Sequence, residues 1–168
     1  MDRGRFYEIV ESAREGIVPE APSADGESLR TALGTLADDE VEDFARTFEQ
    51  ELVRLNRWSV WGAGYAANGG MSDDAFHFFR CWLVGKGADA VQTALDDPDG
   101  LAGFLDPRME NESLEYAALE ELDERGLPDP RTEDGPQPDD EPEGERFDPD
   151  GVAARYPRIT AAVAGSGL

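Results

Sequence analysis

RWSVWGAGYAANGGMSDDAFHFFRCWLVGKG, residues 57–87, decides how the chain is read. It holds all three tryptophans (Trp58, Trp61, Trp82), four further aromatic residues, and the single histidine, lysine and cysteine: His77, Lys86 and Cys81. Trp58, Trp61 and Tyr65 fall at i, i+3 and i+7, one side of a helix over about 58–67. Asn68-Gly69-Gly70 ends that helix, because glycine enters the left-handed C-cap conformation without a Cβ clash. Ser72 caps the next helix, 73–85, and Asp73 and Asp74 sit in its first turn, where the helix dipole favours negative charge. Phe76, Phe79 and Leu83 share one face of it, flanked by Phe78 and Trp82. Gly85-Lys86-Gly87 stops it.

Working outward, the same period continues. Phe6, Ile9, Val10 and Ala13 predict a helix over 2–16, ended by Gly16 and Pro19, with a loop over 17–25. Leu29, Ala32, Leu33 and Leu36 predict a second over 26–36. Asp38 reads as an N-cap, and Val41, Phe44, Ala45, Phe48, Leu52 and Leu55 form the clearest apolar stripe. Short helices are expected over 88–96 and 99–105, and a longer one over 112–124 with Leu114, Ala117, Ala118 and Leu122. No stretch alternates as a strand does. The fold class is therefore all-α, a compact multi-helix bundle whose short turns favour antiparallel neighbours.

Composition divides the chain into a helical domain over 1–125, an acidic linker over 126–150 and a tail over 151–168. Pro128 to Asp150 contains ten acids, six prolines and two arginines, with Phe147 the only large apolar residue. Such a segment has little apolar surface to offset its ordering entropy, so it is expected to be mobile and disordered. Val152, Tyr156, Ile159 and Val163 give the tail a weak apolar face, broken by Pro157, that either docks on the body or stays peripheral.

The formal net charge is −23 over 168 residues. With no Lys/Arg cluster, the chain lacks the means to neutralise a nucleic-acid backbone, and an anionic membrane would repel it. Charge points instead to basic proteins, cations or neutral small molecules. One cysteine excludes an internal disulfide and any Cys-cluster metal site. No apolar run reaches membrane-span length, and the N-terminus lacks a signal-peptide core, so the cytoplasm is the expected compartment.

The run Trp61-Gly62-Ala63 to Asn68-Gly69-Gly70, then Ser72-Asp73-Asp74, Phe76, Phe79-Arg80, Trp82-Leu83, Gly87 and Asp97-Pro98, resembles the bacterial family known as domain of unknown function 4240. Small actinobacterial members begin similarly, with an aromatic-rich first helix such as Phe6-Tyr7. The resemblance covers about residues 1–124. The family pattern often has Cys where Met71 stands, so a role resting on that thiol would not apply here. The resemblance implies a domain boundary and a place to look; it brings no activity, cofactor or partner with it.

The candidate binding residues are Trp58, Trp61, Tyr65, Asn68, Gly69, Gly70, Ser72, Asp73, Asp74, His77 and Arg80. Asp73, His77 and Arg80 lie at i, i+4 and i+7, so their side chains can meet. That stripe reads either as a carboxylate-oriented imidazole beside a guanidinium or as a surface ion-pair ladder. Arg80 reads as a brace to Asp74 or Asp97, or as a fork for a carboxylate ligand. The Gly69-Gly70 turn could form an anion nest, but Asp73 and Asp74 occupy the place of the anion. As a cation site those two acids are too few, so no metal and no cofactor is assigned. The aromatic cluster reads as core or as the wall of a ligand pocket. Cys81 reads as a buried, inert thiol, since burial opposes thiolate formation beside His77. No complete catalytic set is present, nor any phosphate loop, dinucleotide fingerprint, zinc-protease motif or serine elbow. These readings favour a protein-interaction or regulatory module, with a small-molecule-binding protein or enzyme using the Trp61–Arg80 region, or an acidic nucleic-acid mimic, as alternatives.

Overall fold

Helical periodicity carries through to three dimensions over the described residues 1–15, 23–131 and 134–166 of the computed structural model. The order is α1 (Arg3–Glu15), α2 (Gly26–Leu33), α3 (Asp38–Leu55), α4 (Trp58–Asn68), α5 (Asp73–Lys86), α6 (Ala88–Asp96), a 3₁₀ helix (Pro98–Gly103), α7 (Ser113–Glu124), a 3₁₀ turn (Pro149–Gly151), α8 (Val152–Arg155) and α9 (Pro157–Ser166). No strand forms among the described residues; one isolated bridge joins Arg57 and Glu143. No described helix is long and apolar enough to cross a membrane.

Local chemistry explains most boundaries. Ser72 accepts a bond from the Ala75 amide at 3.3 Å and starts α5. Gly69, at φ 67°, closes α4 in the left-handed conformation. The start of α3 differs from expectation: Ala37 is the N-cap and Asp38 the first helical residue. Asp38, Asp39 and Glu40 then fill the first turn, where the dipole stabilises them. The second helix ends at Leu33, and the piece expected over 99–105 is the 3₁₀ helix Pro98–Gly103. Gly16, Pro19 and most of the expected loop over 17–25 lie outside the described residues.

The stripe of α3 is fully committed. Val41, Phe44, Ala45, Phe48, Leu52 and Leu55 are all buried, and Phe6 of α1 stacks on Phe44 with ring centres 4.6 Å apart. Helices α2 and α7 pack together, α7 also lies on α3, and α5 contacts α3, α6 and α7. Helix α5 is more deeply placed than a one-faced amphipathic helix: Phe76, Phe79, Arg80, Cys81, Trp82, Leu83 and Val84 are all buried. At its C-terminal end, Trp82 donates to Asp106 at 3.2 Å, and Lys86 pairs with the same carboxylate at 3.0 Å. A carboxylate that is nearly buried is thus held by both a donor and a charge.

The acidic segment has no helix between Glu124 and Pro149 among the described residues, yet it is tied to the body at specific points. Composition predicts mobility there; the difference arises because backbone groups and one ring make the attachment. Glu143 donates its amide to the Asn56 carbonyl at 2.9 Å and accepts from the Trp58 amide at 3.0 Å. The Asn56 side-chain amide donates to the Asp140 carbonyl at 2.7 Å. Phe147 is buried against Tyr65, Trp58 and Trp61. Of the two fates open to the tail, docking is the one adopted: Val152, Tyr156 and Ile159 are buried, and the Tyr156 hydroxyl donates to the Ser59 carbonyl at 2.8 Å.

Candidate functional site

Helices α4 and α5 build the site because their aromatic residues stack face to face in a column. Trp58 and Trp61 lie 5.0 Å apart at 7°, and Trp61 and Phe76 lie 4.8 Å apart at 8°. The Arg146 guanidinium covers the outer face of this column, 4.9 Å from Trp58, and the Arg80 guanidinium lies 4.6 Å from the centre of Phe76. Each contact of this kind adds about 0.5–2 kcal/mol, most where the cation is desolvated. The indole nitrogen of Trp61 donates to the Met71 carbonyl at 3.2 Å, fixing the Gly69-Gly70 turn to the column.

Beside the column opens a cleft of about 690 Å³ between α5, α7 and the acidic segment. Its walls include Trp58, Trp61, Phe78 and Tyr116, and six acids: Asp73, Asp74, Glu115, Asp139, Asp140 and Glu141. His77, Arg80 and Arg146 are the basic groups at its edge.

His77 bridges two of these acids. Its Nδ1 lies 2.9 Å from Asp139 Oδ1, and its Nε2 lies 3.0 Å from Glu115 Oε2. The hydrogen bond to Glu115, and then that to Asp139, outweigh burial and raise the imidazole pKa above its ordinary value. With both ring nitrogens facing carboxylates, the imidazolium is the form that satisfies both.

Arg80 is only 2% exposed. Nη1 donates to the Leu52 carbonyl at 3.2 Å and to the Pro138 carbonyl at 2.6 Å, while Nη2 lies 3.4 Å from His77 Nδ1 and 3.6 Å from Asp139. Burial pulls its pKa down, against the pull of Asp139, but a guanidinium stays charged at any ordinary pH.

The expected side chains are partly brought together. His77 and Arg80 meet, but the carboxylates on His77 are Asp139 and Glu115, and no hydrogen bond joins Asp73 to it among the described residues. Asp73 and Asp74 remain exposed in the first turn of α5, facing the cleft. Arg80 does not brace Asp74 or Asp97; Asp97 pairs with Arg158 of α9. Trp58 is buried, Trp61 and Tyr65 are half-buried, and Phe76, Phe79 and Trp82 belong to the core. Asn68 and Gly69 are exposed and Gly70 is half-exposed, in the turn outside the cleft lining, while Ser72 serves as the cap. Cys81 is fully buried, and burial, reinforced by the Glu115 charge, pushes its pKa up.

Sequence reasoning missed Glu115, Pro138, Asp139 and Asp140. Glu115 is 38 residues from His77 and Asp139 is 62, so no local spacing joins them. For Asp139 and Asp140 the only signal was the charge of their segment; for Glu115, on α7, there was none.

No curated protein and no solved structure gives a significant match to the chain. A family model described as "Protein of unknown function (DUF4240)" matches residues 1–124, which carry α1 to α7, whereas Asp139 to Arg146 of the cleft lie beyond the match. On that match, the chain belongs to the DUF4240 family.

Proposed function

We propose that the chain is a protein-interaction module whose acidic cleft receives a basic segment of a partner protein. The carrying observation is the lining: six carboxylates surround the cleft, and one of its two arginines, Arg80, is already spent on the carbonyls of Leu52 and Pro138. A lysine or arginine side chain placed there meets carboxylates at its charged end and the apolar edges of Phe78 and Tyr116 along its stem. Tyr116 is the one large apolar side chain that is exposed among the described residues, which suits an anchor at the rim. The overall charge would steer such a partner toward the surface.

A second reading takes a small organic cation in the same cleft. It is supported by Asp73 and Asp74 lining the cleft together with the aromatic faces of Trp58 and Trp61, and by a volume in the range of small-molecule sites.

The test is fluorescence anisotropy with a labelled arginine- and lysine-rich peptide at low and high salt. Neutralising Asp139, Asp140 and Glu141 together is expected to weaken binding by tenfold or more. Neutralising three exposed acids elsewhere, Asp39, Asp89 and Asp123, is expected to weaken it far less. Equal losses from both triple variants would reduce the interaction to bulk charge and remove the cleft from the argument. Equal affinity for a short diamine would favour the small-cation reading.

A further inference from the structure

We propose that His77, Cys81 and Glu115 form a binding site for a divalent transition-metal ion, with zinc the ion that fits the donor set. One nitrogen, one sulfur and one carboxylate oxygen from these three residues lie within 4.8 Å of one another. Ligands on a tetrahedral zinc ion are separated by about 3.5 Å, given bond lengths of about 2.0–2.3 Å. Forming the site thus takes a closure of about 1.3 Å at most for the widest pair and an opening of about 0.5 Å between His77 Nε2 and Glu115, which stand 3.0 Å apart. His77 and Cys81 are four residues apart on α5, which places both side chains on one helical face. Glu115 enters from α7, whose packing against α5 fixes the third donor. A set of imidazole, thiolate and carboxylate suits zinc and discriminates against magnesium and calcium, which prefer oxygen donors.

A separate feature points the same way. The other ring nitrogen of His77 faces Asp139 at 2.9 Å, and Asp139 lies 3.6 Å from Arg80. A histidine metal ligand generally donates its second N–H to a carboxylate, which fixes ring orientation and tautomer. His77 has that partner already, and Nε2 is left to face Glu115 at 3.0 Å. In this state a proton lies between Nε2 and the carboxylate; a metal ion would take its place and bind both. Charge also balances. Zinc displaces the Nε2 proton and the Cys81 proton, which leave to solvent. The resulting thiolate, Glu115 and Asp139 together carry three negative charges, against two on the ion and one on Arg80. Cys81 is buried at the inner end, while His77 and Glu115 line the cleft, so a fourth coordination position faces the cleft. Three protein donors with an open fourth position is the pattern of zinc sites that bind water or a substrate.

The site does not depend on the peptide reading, and it is tested without a peptide. Cobalt(II) titrated into the full chain is expected to give a thiolate-to-cobalt charge-transfer band that saturates at one ion per chain. Zinc should bleach the band and raise the melting temperature. Cys81→Ser should abolish the band, and Glu115→Gln should weaken cobalt binding at least tenfold in competition with a chromophoric chelator. Asp139→Asn should weaken it by about tenfold through loss of ring orientation, with the band retained. Glu115 is only partly buried, so its variant keeps the test open should Cys81→Ser fail to fold. Absence of the band in the folded wild type, or equal affinity in the wild type and Glu115→Gln, would overturn the site and leave cobalt on the acidic surface only.

Discussion

The Arg80 guanidinium donates a 2.6 Å hydrogen bond to the Pro138 carbonyl, tying a core helix to the acidic segment 58 residues later. The same terminal nitrogen reaches the Leu52 carbonyl, so one buried cation joins α3, α5 and the segment that walls the cleft. A lysine ammonium has donors enough for two carbonyls, but its shorter stem does not reach the position of Nη1, and it loses the second terminal nitrogen that faces Asp139. Arg80→Lys is therefore expected to cost about 2–3 kcal/mol, measured by chemical denaturation. The double-mutant cycle separates its partners. Arg80→Lys and Asp74→Asn should add within about 0.5 kcal/mol, because the two do not touch. Arg80→Lys and Asp139→Asn should couple by about 0.5–1 kcal/mol, a small term because Asp139 is largely exposed. Coupling to Asp74 instead would move the brace to the helix terminus.

Tail docking rests on a close approach at Gly62. A Cβ there would lie 2.5 Å from the Tyr156 hydroxyl oxygen and 2.9 Å from its ring. A rigid ring pinned by its bond to Ser59 cannot yield cheaply, so Gly62→Ala should expel Tyr156 and lower stability by about 1–3 kcal/mol. Truncation after Arg125 should cost more, since Phe147, Val152, Tyr156 and Ile159 lose their burial and the faces of Trp58 and Trp61 are uncovered. At about 2–4 °C per kcal/mol, a fall in melting temperature of roughly 10 °C is expected. A truncated chain that melts within a degree or two of the full one would mean that the tail's contacts carry no net stability.

Trp61 is flanked by parallel rings on both faces and donates to the Met71 carbonyl. Trp61→Ala removes the middle of the column and should cost about 3–5 kcal/mol. Trp61→Phe keeps the stack but drops the indole bond, and about 1–2 kcal/mol is expected. A Trp61→Phe loss as large as that of alanine would assign the site to the turn rather than to the stack.

These residues also mark how far the sequence could be read. Helices α3, α4 and α5 were legible because a 3.6-residue period, a serine cap and a glycine stop each act within a few residues. The same spacing put Trp58 and Trp61 on one side of α4, but not the stacking of Phe76 from α5 on Trp61. What spacing could not give was the partner of a charged side chain. For His77 the local rule offered Asp73, one turn away, yet its partners are Glu115 on α7 and Asp139 in an irregular segment. For Arg80 it offered carboxylates, yet the strongest contacts are main-chain carbonyls, which every residue carries and no composition reveals. The docking of the acidic segment was hidden for the same reason: Glu143 contributes its backbone to Asn56 and Trp58.

Glu51 provides the clearest pH dependence. It is 1% exposed and accepts from Tyr7 at 2.6 Å, from Arg3 at 2.9 Å and from Arg54 at 2.7 Å. Burial alone would raise its pKa, but the hydrogen bonds from Tyr7, Arg3 and Arg54 prevail and hold it below the ordinary 4.5. A group depressed on folding stabilises the fold fully above its unfolded pKa, and that stability is lost as pH falls through the folded value. The native state should therefore weaken from about pH 4.5 downward, with this cluster contributing part of the slope. Glu51→Gln keeps the shape but loses the charge. It should cost about 2–3 kcal/mol at neutral pH, since Arg3, Arg54 and the Tyr7 hydroxyl then face a neutral amide. Its stability should fall less steeply than that of the wild type below pH 4.5, the two curves converging once Glu51 is protonated. Denaturation midpoints measured across pH 3–7 decide the point: parallel curves for the two proteins would mean that Glu51 titrates alike in the folded and unfolded chains.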